Sequence, residues 1–153
     1  IPRSVVVHTD DVAWHHSFFD WQELMIDGIL RPVANGQGVA YRPPAWDVRD
    51  RPGAIAVPAD ARVVIVEGVG ASRTELAPWL TASIWIQSDL VEAERRGLER
   101  DGGTAEAKRF WDEWMAAEFK FLERQEPWRR ARAIVNGTPT QLHDSENEVV
   151  VAA

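Results

Sequence analysis

Two apolar runs in this chain each end on acidic residues. Val5-Val6-Val7 leads through His8 and Thr9 to Asp10 and Asp11, and Val63-Val64-Ile65-Val66 leads to Glu67, with Gly68 and Gly70 close behind. Runs this rich in β-branched residues, without alternation, read as strands buried on both faces of a parallel sheet. In such sheets ligands collect just past the carboxyl ends of the strands, so Asp10, Asp11 and Glu67 stand where chemistry is expected. On an extended strand His8 and Asp10 point the same way. Imidazole with carboxylate suits zinc or iron, so His8, Asp10, His15 and Glu67 define one candidate, a metal-dependent hydrolase. No established ligand spacing such as H-E-x-x-H accompanies them.

Three further groups can contact small molecules. Trp14, His15 and His16 open a stretch too aromatic for an ordinary solvent loop, running on to Phe19. The histidines either touch substrate or pack and hydrogen-bond within the loop. Tyr41, Arg42 and Trp46 either stack on and bond a planar base or form a small satellite cluster under a loop. Arg95, Arg96 and Arg100 lie on one helix, with positions 96 and 100 sharing a face. They are phosphate ligands or members of surface ion pairs with Glu92, Glu94 and Glu99.

The elements that must position these groups alternate between strand and helix. Ser4–Thr9, Arg62–Val66, Ser83–Gln87 and Ala131–Val135 are the principal strand candidates. Asp20 with Glu23 predicts a capped helix from Trp21 to about Leu30, stopped by Arg31-Pro32. Ser72 with Glu75 predicts a short helix toward Leu80. Asp89 with Glu92 starts the arginine-bearing helix, and Thr104 caps a long one from Ala105 to about Arg124. The apolar stripe of that last helix, Ala107, Phe110, Trp111, Trp114, Met115, Phe121 and Leu122, is core. Residues 35–60 read as small antiparallel strands around a loop at Arg42–Asp47. From Pro139 the chain is polar and acidic and is expected to fray. The fold class is α/β.

Composition narrows the function. The 153 residues suit one domain with a proper core, and 45% hydrophobic and 27% charged residues are ordinary for a globular protein. The net charge of −7 argues against nucleic acid as a partner. No apolar run is long enough to span a membrane, which leaves no membrane partner and the cytoplasm as the default location. The absence of cysteine removes disulfides, thiolate metal sites and thiol nucleophiles. Of 17 basic residues only Lys108 and Lys120 are lysine, a bias toward the bidentate phosphate ligand or toward a GC-rich genome.

Taken in order, these segments resemble the uridine kinase-like group of P-loop phosphotransferases, from about Val5 to Pro139. The resemblance rests on His8-Thr9-Asp10-Asp11 closing one strand, Phe19-Asp20-Trp21 opening the next helix, and Val64-Ile65-Val66-Glu67-Gly68. The Arg95-to-Asp101 segment and a last strand ending in Asn136-Gly137 continue it. It implies ATP-dependent phosphoryl transfer to a small-molecule hydroxyl, commonly the 5′-hydroxyl of a pyrimidine nucleoside, with Mg²⁺. It gives Asp10 the hydroxyl proton, Glu67 the Mg²⁺ (with Asp11 in support), and Arg95, Arg96 and Arg100 the phosphates as a lid. Trp14, His15, His16, Tyr41, Arg42 and Trp46 become the substrate-side residues.

The chain departs from that group in three places. It contains no Gly-x-x-x-x-Gly-Lys-Ser/Thr loop. Val12-Ala13 stand where uridine-cytidine kinases place aromatics, and the ribose-binding aspartate falls near Trp14. The arginine segment fits the lid pattern loosely. Because the P-loop and its strand precede Asp10 in this group, the expectation is an N-terminal truncation of roughly 30 residues or more. The implied domain covers residues 1–138, a P-loop NTPase-type parallel sheet flanked by helices, with 139–153 as a tail. Its strand order is Val5–His8, Val63–Val66, a vacant slot for the P-loop strand, Ser83–Gln87 and Ala131–Val135. The non-enzyme alternative is a nucleotide-binding or scaffold protein of the same fold.

Overall fold

A computed structural model of the protein describes residues 2–152; Ile1 and Ala153, the outer ends of the expected domain and tail, lie outside it. The architecture is mixed α/β with short parallel and antiparallel sheets, and the chain forms two compact units, Ile1–Thr81 and Ala82–Ala153. Among the described residues no helix is long and apolar enough to cross a membrane.

In the first unit, β1 (Ser4–His8) pairs in parallel with β4 (Val63–Glu67), in register from Ser4 opposite Val63 to His8 opposite Glu67. Successive side chains alternate between faces. Val5, Val7, Val64 and Val66 join a core that includes Val12, Trp21, Met25, Ile29, Trp46 and Leu76. On the other face Val6 and Ile65 remain 47% and 44% exposed. The apolar run is therefore buried on one face only, because the core cluster takes alternate positions alone.

After β1 the chain turns at once into α1 (Thr9–Ala13). Asp10 accordingly sits on a helix and not on the strand, so the same-side alignment expected with His8 is lost. The next helix begins with α2 (Gln22–Met25), widens through a π turn (Ile26–Leu30) and continues as α3 (Arg31–Ala34). Its N-cap is Trp21, without a side-chain cap, since Asp20 is bound in the preceding loop by Ser17. Pro32 does not end the helix. Arg31 donates its N–H five residues back to the Ile26 carbonyl, and Pro32 occupies the opening turn of α3, where a missing N–H costs little. Short strands β2 (Val39–Tyr41) and β3 (Ile55–Val57) pair antiparallel and flank α4 (Pro44–Val48), which replaces the loop expected there. The helix expected from Ser72 and Glu75 is only a 3₁₀ turn at Ala77–Trp79, and Glu75 pairs with the buried Arg73. Arg73 also donates to the Phe19 carbonyl at 2.5 Å and lies over Trp21.

In the second unit, β5 (Ile84–Gln87) pairs in parallel with β6 (Ala133–Asn136), and α5 (Leu90–Arg100) and α6 (Ala105–Gln125) lie between them in sequence. The Asp89 and Thr104 side chains cap these helices as expected, each accepting the backbone N–H three residues on at 3.0 Å. Gly97 lets α5 meet α6, since a Cβ there would fall 2.3 Å from the Trp111 ring. The tail does not fray at its end. Asn136 donates to the Val150 carbonyl and Ala152 to the Ile134 carbonyl, so Val150–Ala152 lie antiparallel along the edge of β6.

The α6 stripe also differs from expectation. Phe121 is buried and Trp111, Trp114, Met115 and Leu122 are partly so, but Phe110 is 53% exposed. At about 100° per residue Glu118 falls in the middle of this stripe and Phe110 at its margin. Burial pushes the Glu118 carboxyl up to about 7 from an ordinary value of 4.5. A carboxyl raised by folding favours the fold fully below its unfolded pKa, and the fold loses that contribution as pH rises through the folded value. The second unit should therefore lose stability between about pH 4.5 and 7 on account of Glu118. Melting temperatures of wild type and Glu118→Gln across that range check this: the variant should lack that component of the slope and be the more stable at pH 8.

Candidate functional site

The carboxyl end of the β1–β4 pair gathers His8, Thr9, Asp10, Glu67 and Gly68. His8 and Glu67 are the last register partners, so their side chains leave the same face of the sheet. The His8 ring donates from Nδ1 to Glu67 Oε2 at 2.6 Å, in the open, with side chains 55% and 59% exposed. Thr9 is buried just beyond, and its hydroxyl has no hydrogen-bond partner among the described residues. Gly68 carries a φ of +123°, and a Cβ there would stand 2.2 Å from that hydroxyl oxygen. The turn after Glu67 thus requires glycine twice over, for its backbone and for its close approach to Thr9. Asp10, in the first turn of α1, is exposed and has no side-chain partner among the described residues.

Asp11 faces a different environment. Its carboxylate accepts from Arg51 Nη2 at 2.5 Å, and its carbonyl accepts from Trp46 Nε1 at 2.8 Å. The Arg51 guanidinium lies 3.7 Å from the Trp46 ring centroid and 5.0 Å from that of Trp14. Trp46 is only 4% exposed and belongs to the core cluster. Asp11 and Trp46 therefore tie α1 to α4. That corrects both expectations: Trp46 is buried with no free face for a base, and Asp11 is paired with Arg51 where support of a metal ion was expected.

The remaining substrate-side residues divide. His15 takes a left-handed backbone, φ 52°, with its ring edge-on to Trp14 at 4.5 Å, and is exposed. His16 Nε2 bonds the Asp20 carbonyl at 3.0 Å and closes its loop. Arg42 is held by Asp47 at 2.7 Å and by the Gly53 carbonyl. Tyr41 lies over Gly28 of the π turn, where a Cβ would stand 2.5 Å from its ring. Burial, and then the charge of Asp27, raises its hydroxyl pKa. A hollow of about 580 Å³ opens beside it, lined by Glu23, Asp27, Pro32 and Gln37 among others and not by Asp10 or Glu67.

In the second unit the α5 arginines are each paired. Arg95 bonds Glu92 and Glu99, Arg96 bonds Glu92, and Arg100 bonds Asp101, all at 2.7–3.1 Å. Arg95 and Arg96 hold the Glu92 carboxyl down to about 2, and Arg100 lowers that of Asp101. These are solvent-exposed pairs and contribute little to stability.

The chain matches no family model and none of the curated proteins compared with it.

Among the described residues no three metal-binding side chains converge, so His8, Asp10, His15 and Glu67 do not form a closed zinc-type site. Mg²⁺ asks for less, being commonly held by one or two carboxylates together with substrate phosphates. Glu67 fits that requirement: it is exposed, one carboxylate oxygen is oriented by His8, and the other has no partner among the described residues. Two contributors escaped the sequence reading. Arg51 carries no local motif, and its role exists only because α4 brings it over Trp46. The pairing of His8 with Glu67 follows from register, which no single strand reveals.

Proposed function

We propose that this chain belongs to an ATP-dependent phosphotransferase of uridine kinase-like type, acting on a hydroxyl of a nucleoside or similar small molecule. The observation that carries the reading is the pair of acids at one carboxyl end of a parallel strand pair: Asp10 without a side-chain partner among the described residues, Glu67 oriented and exposed. Within each unit the strand pair, β1–β4 and β5–β6, is parallel, as the reading expects of each pair.

In this reading Asp10 accepts or orients the acceptor's hydroxyl proton and Glu67 holds Mg²⁺, whose charge offsets that of the phosphates when bound. Arg95, Arg96 and Arg100 exchange their acidic partners for phosphate oxygens, a modest rearrangement because the existing pairs are exposed. His15 remains free to meet the acceptor, whereas His16, Arg42 and Trp46 shape the loops around it. The reading requires a P-loop that the 153 residues do not contain. Sequencing the codons upstream in the same reading frame is the first test: a Gly-rich loop ending in Lys-Ser/Thr is the result that supports the kinase. The second is ATP consumption against a panel of nucleosides and other hydroxyl acceptors, measured on the full product of the gene. No acceptor-dependent consumption of ATP by that product would defeat the kinase and favour a nucleotide-binding or scaffold role.

Arg100→Ala tests the lid. Loss of a charge that compensates the moving phosphoryl group should lower kcat by about an order of magnitude or more. The melting temperature without ligand should hardly change, since Arg100 is exposed and paired with its neighbour Asp101. An early-melting variant with normal turnover would assign Arg100 to structure alone.

A further inference from the structure

We propose that His8 is a positioning residue for Glu67: its Nδ1–H fixes the carboxylate so that the second oxygen is presented to a divalent cation. The inference rests on the reading of Glu67 as the cation-side acid and adds a residue that reading leaves idle. Three observations support it.

The first is geometry. His8 and Glu67 are register partners at the final position of β1–β4, on the same face, and the contact of 2.6 Å is short and charge-assisted. Both backbones are set where they leave the sheet, His8 by the immediate start of α1 and Glu67 by Gly68 at φ +123°. A lone glutamate at a strand end would spread over several rotamers. The imidazole holds this one through a single oxygen.

The second is exposure. With side chains 55% and 59% exposed, the pair does not serve to neutralise a buried charge. As an open contact it adds little to the stability of the fold. Its effect is on where the carboxylate points.

The third is the kind of partner. Asp11 is matched to a guanidinium, a fixed positive charge that bonds one of its oxygens and offsets its negative charge. Glu67 is matched to an imidazole, which can donate one hydrogen bond without a formal charge and leaves the second oxygen open. Donors that orient a metal-binding side chain are typically worth about 10–100-fold in metal affinity.

The test uses Mn²⁺ alone as the probe, with the free ion followed by electron paramagnetic resonance in the full chain. Wild type is compared with Glu67→Gln, His8→Ala and His8→Asn, and each melting temperature is recorded. Asparagine places an N–H close to where Nδ1 stands, so it should restore what alanine removes. Expected are binding by wild type, loss in Glu67→Gln, weakening of about tenfold in His8→Ala and recovery to within about twofold in His8→Asn, at unchanged melting temperature. If His8→Ala binds Mn²⁺ like wild type while Glu67→Gln does not, the role of His8 is overturned and that of Glu67 stands. If wild type does not bind, or Glu67→Gln binds equally well, both fall together. Equal weakening in alanine and asparagine variants overturns the hydrogen-bond role, and an accompanying drop in melting temperature assigns His8 to structure.

Discussion

In the full product of the gene, Asp10→Asn is expected to lower turnover on the best acceptor by about 10²–10⁴-fold, the usual worth of a positioned general base. The substitution keeps the shape and removes the proton-accepting charge. Asp10 is suited to this comparison because it is exposed and has no side-chain partner among the described residues, so no ion pair is broken. The melting temperature should stay within about a degree or two of wild type, since substitutions away from packed or paired features change stability little. ATP binding should be nearly unaffected, which a nucleotide titration of both proteins measures. An Asp10→Asn variant with wild-type kcat would remove Asp10 from the chemistry and with it the central element of the kinase reading.

Trp46→Ala is expected to destabilise the first unit by about 3–5 kcal/mol, the range for deleting a large buried aromatic side chain. The indole is 4% exposed, packs in the core cluster, donates to the Asp11 carbonyl at 2.8 Å and carries the Arg51 guanidinium on its face. Truncation leaves a cavity, an unpaired carbonyl and an unsupported guanidinium at once. Denaturant unfolding of the two proteins gives the difference. Trp46→Phe should recover part of the packing but not the hydrogen bond, and so fall between them. A Trp46→Ala protein of wild-type stability with weakened acceptor binding would return Trp46 to the substrate face.

How far the sequence carries depends on whether a feature is local. The strands at Ser4–His8 and Val63–Glu67 are legible because β-branched runs between polar punctuation have few other stable conformations. The caps at Asp89 and Thr104 are legible because both capping partners lie within four residues. The Asp20/Glu23 pattern looks the same on paper, yet its helix takes Trp21 and not Asp20 as N-cap. Ser17 claims Asp20, bonding both its carboxylate and its backbone N–H. A capping box is a competition for one side chain, and here a hydroxyl three residues earlier wins it.

By itself the sequence determined the acidic strand ends, the alternation of strand and helix, the absence of cysteine and the long amphipathic helix at Ala105–Gln125. Each depends on residue type and short-range periodicity, which act within a few residues of chain. Only the tertiary structure decided which acids are already spoken for. Asp11 goes to Arg51, forty residues away, and Glu67 to His8 across a strand register, while Asp10 is left open because the chain bends into α1 immediately after His8. It likewise placed Glu118 in an apolar stripe and folded Val150–Ala152 back along β6. Pairings of this kind depend on which elements the core draws together, and the hydrophobic burial that does so has no direction written into any one segment.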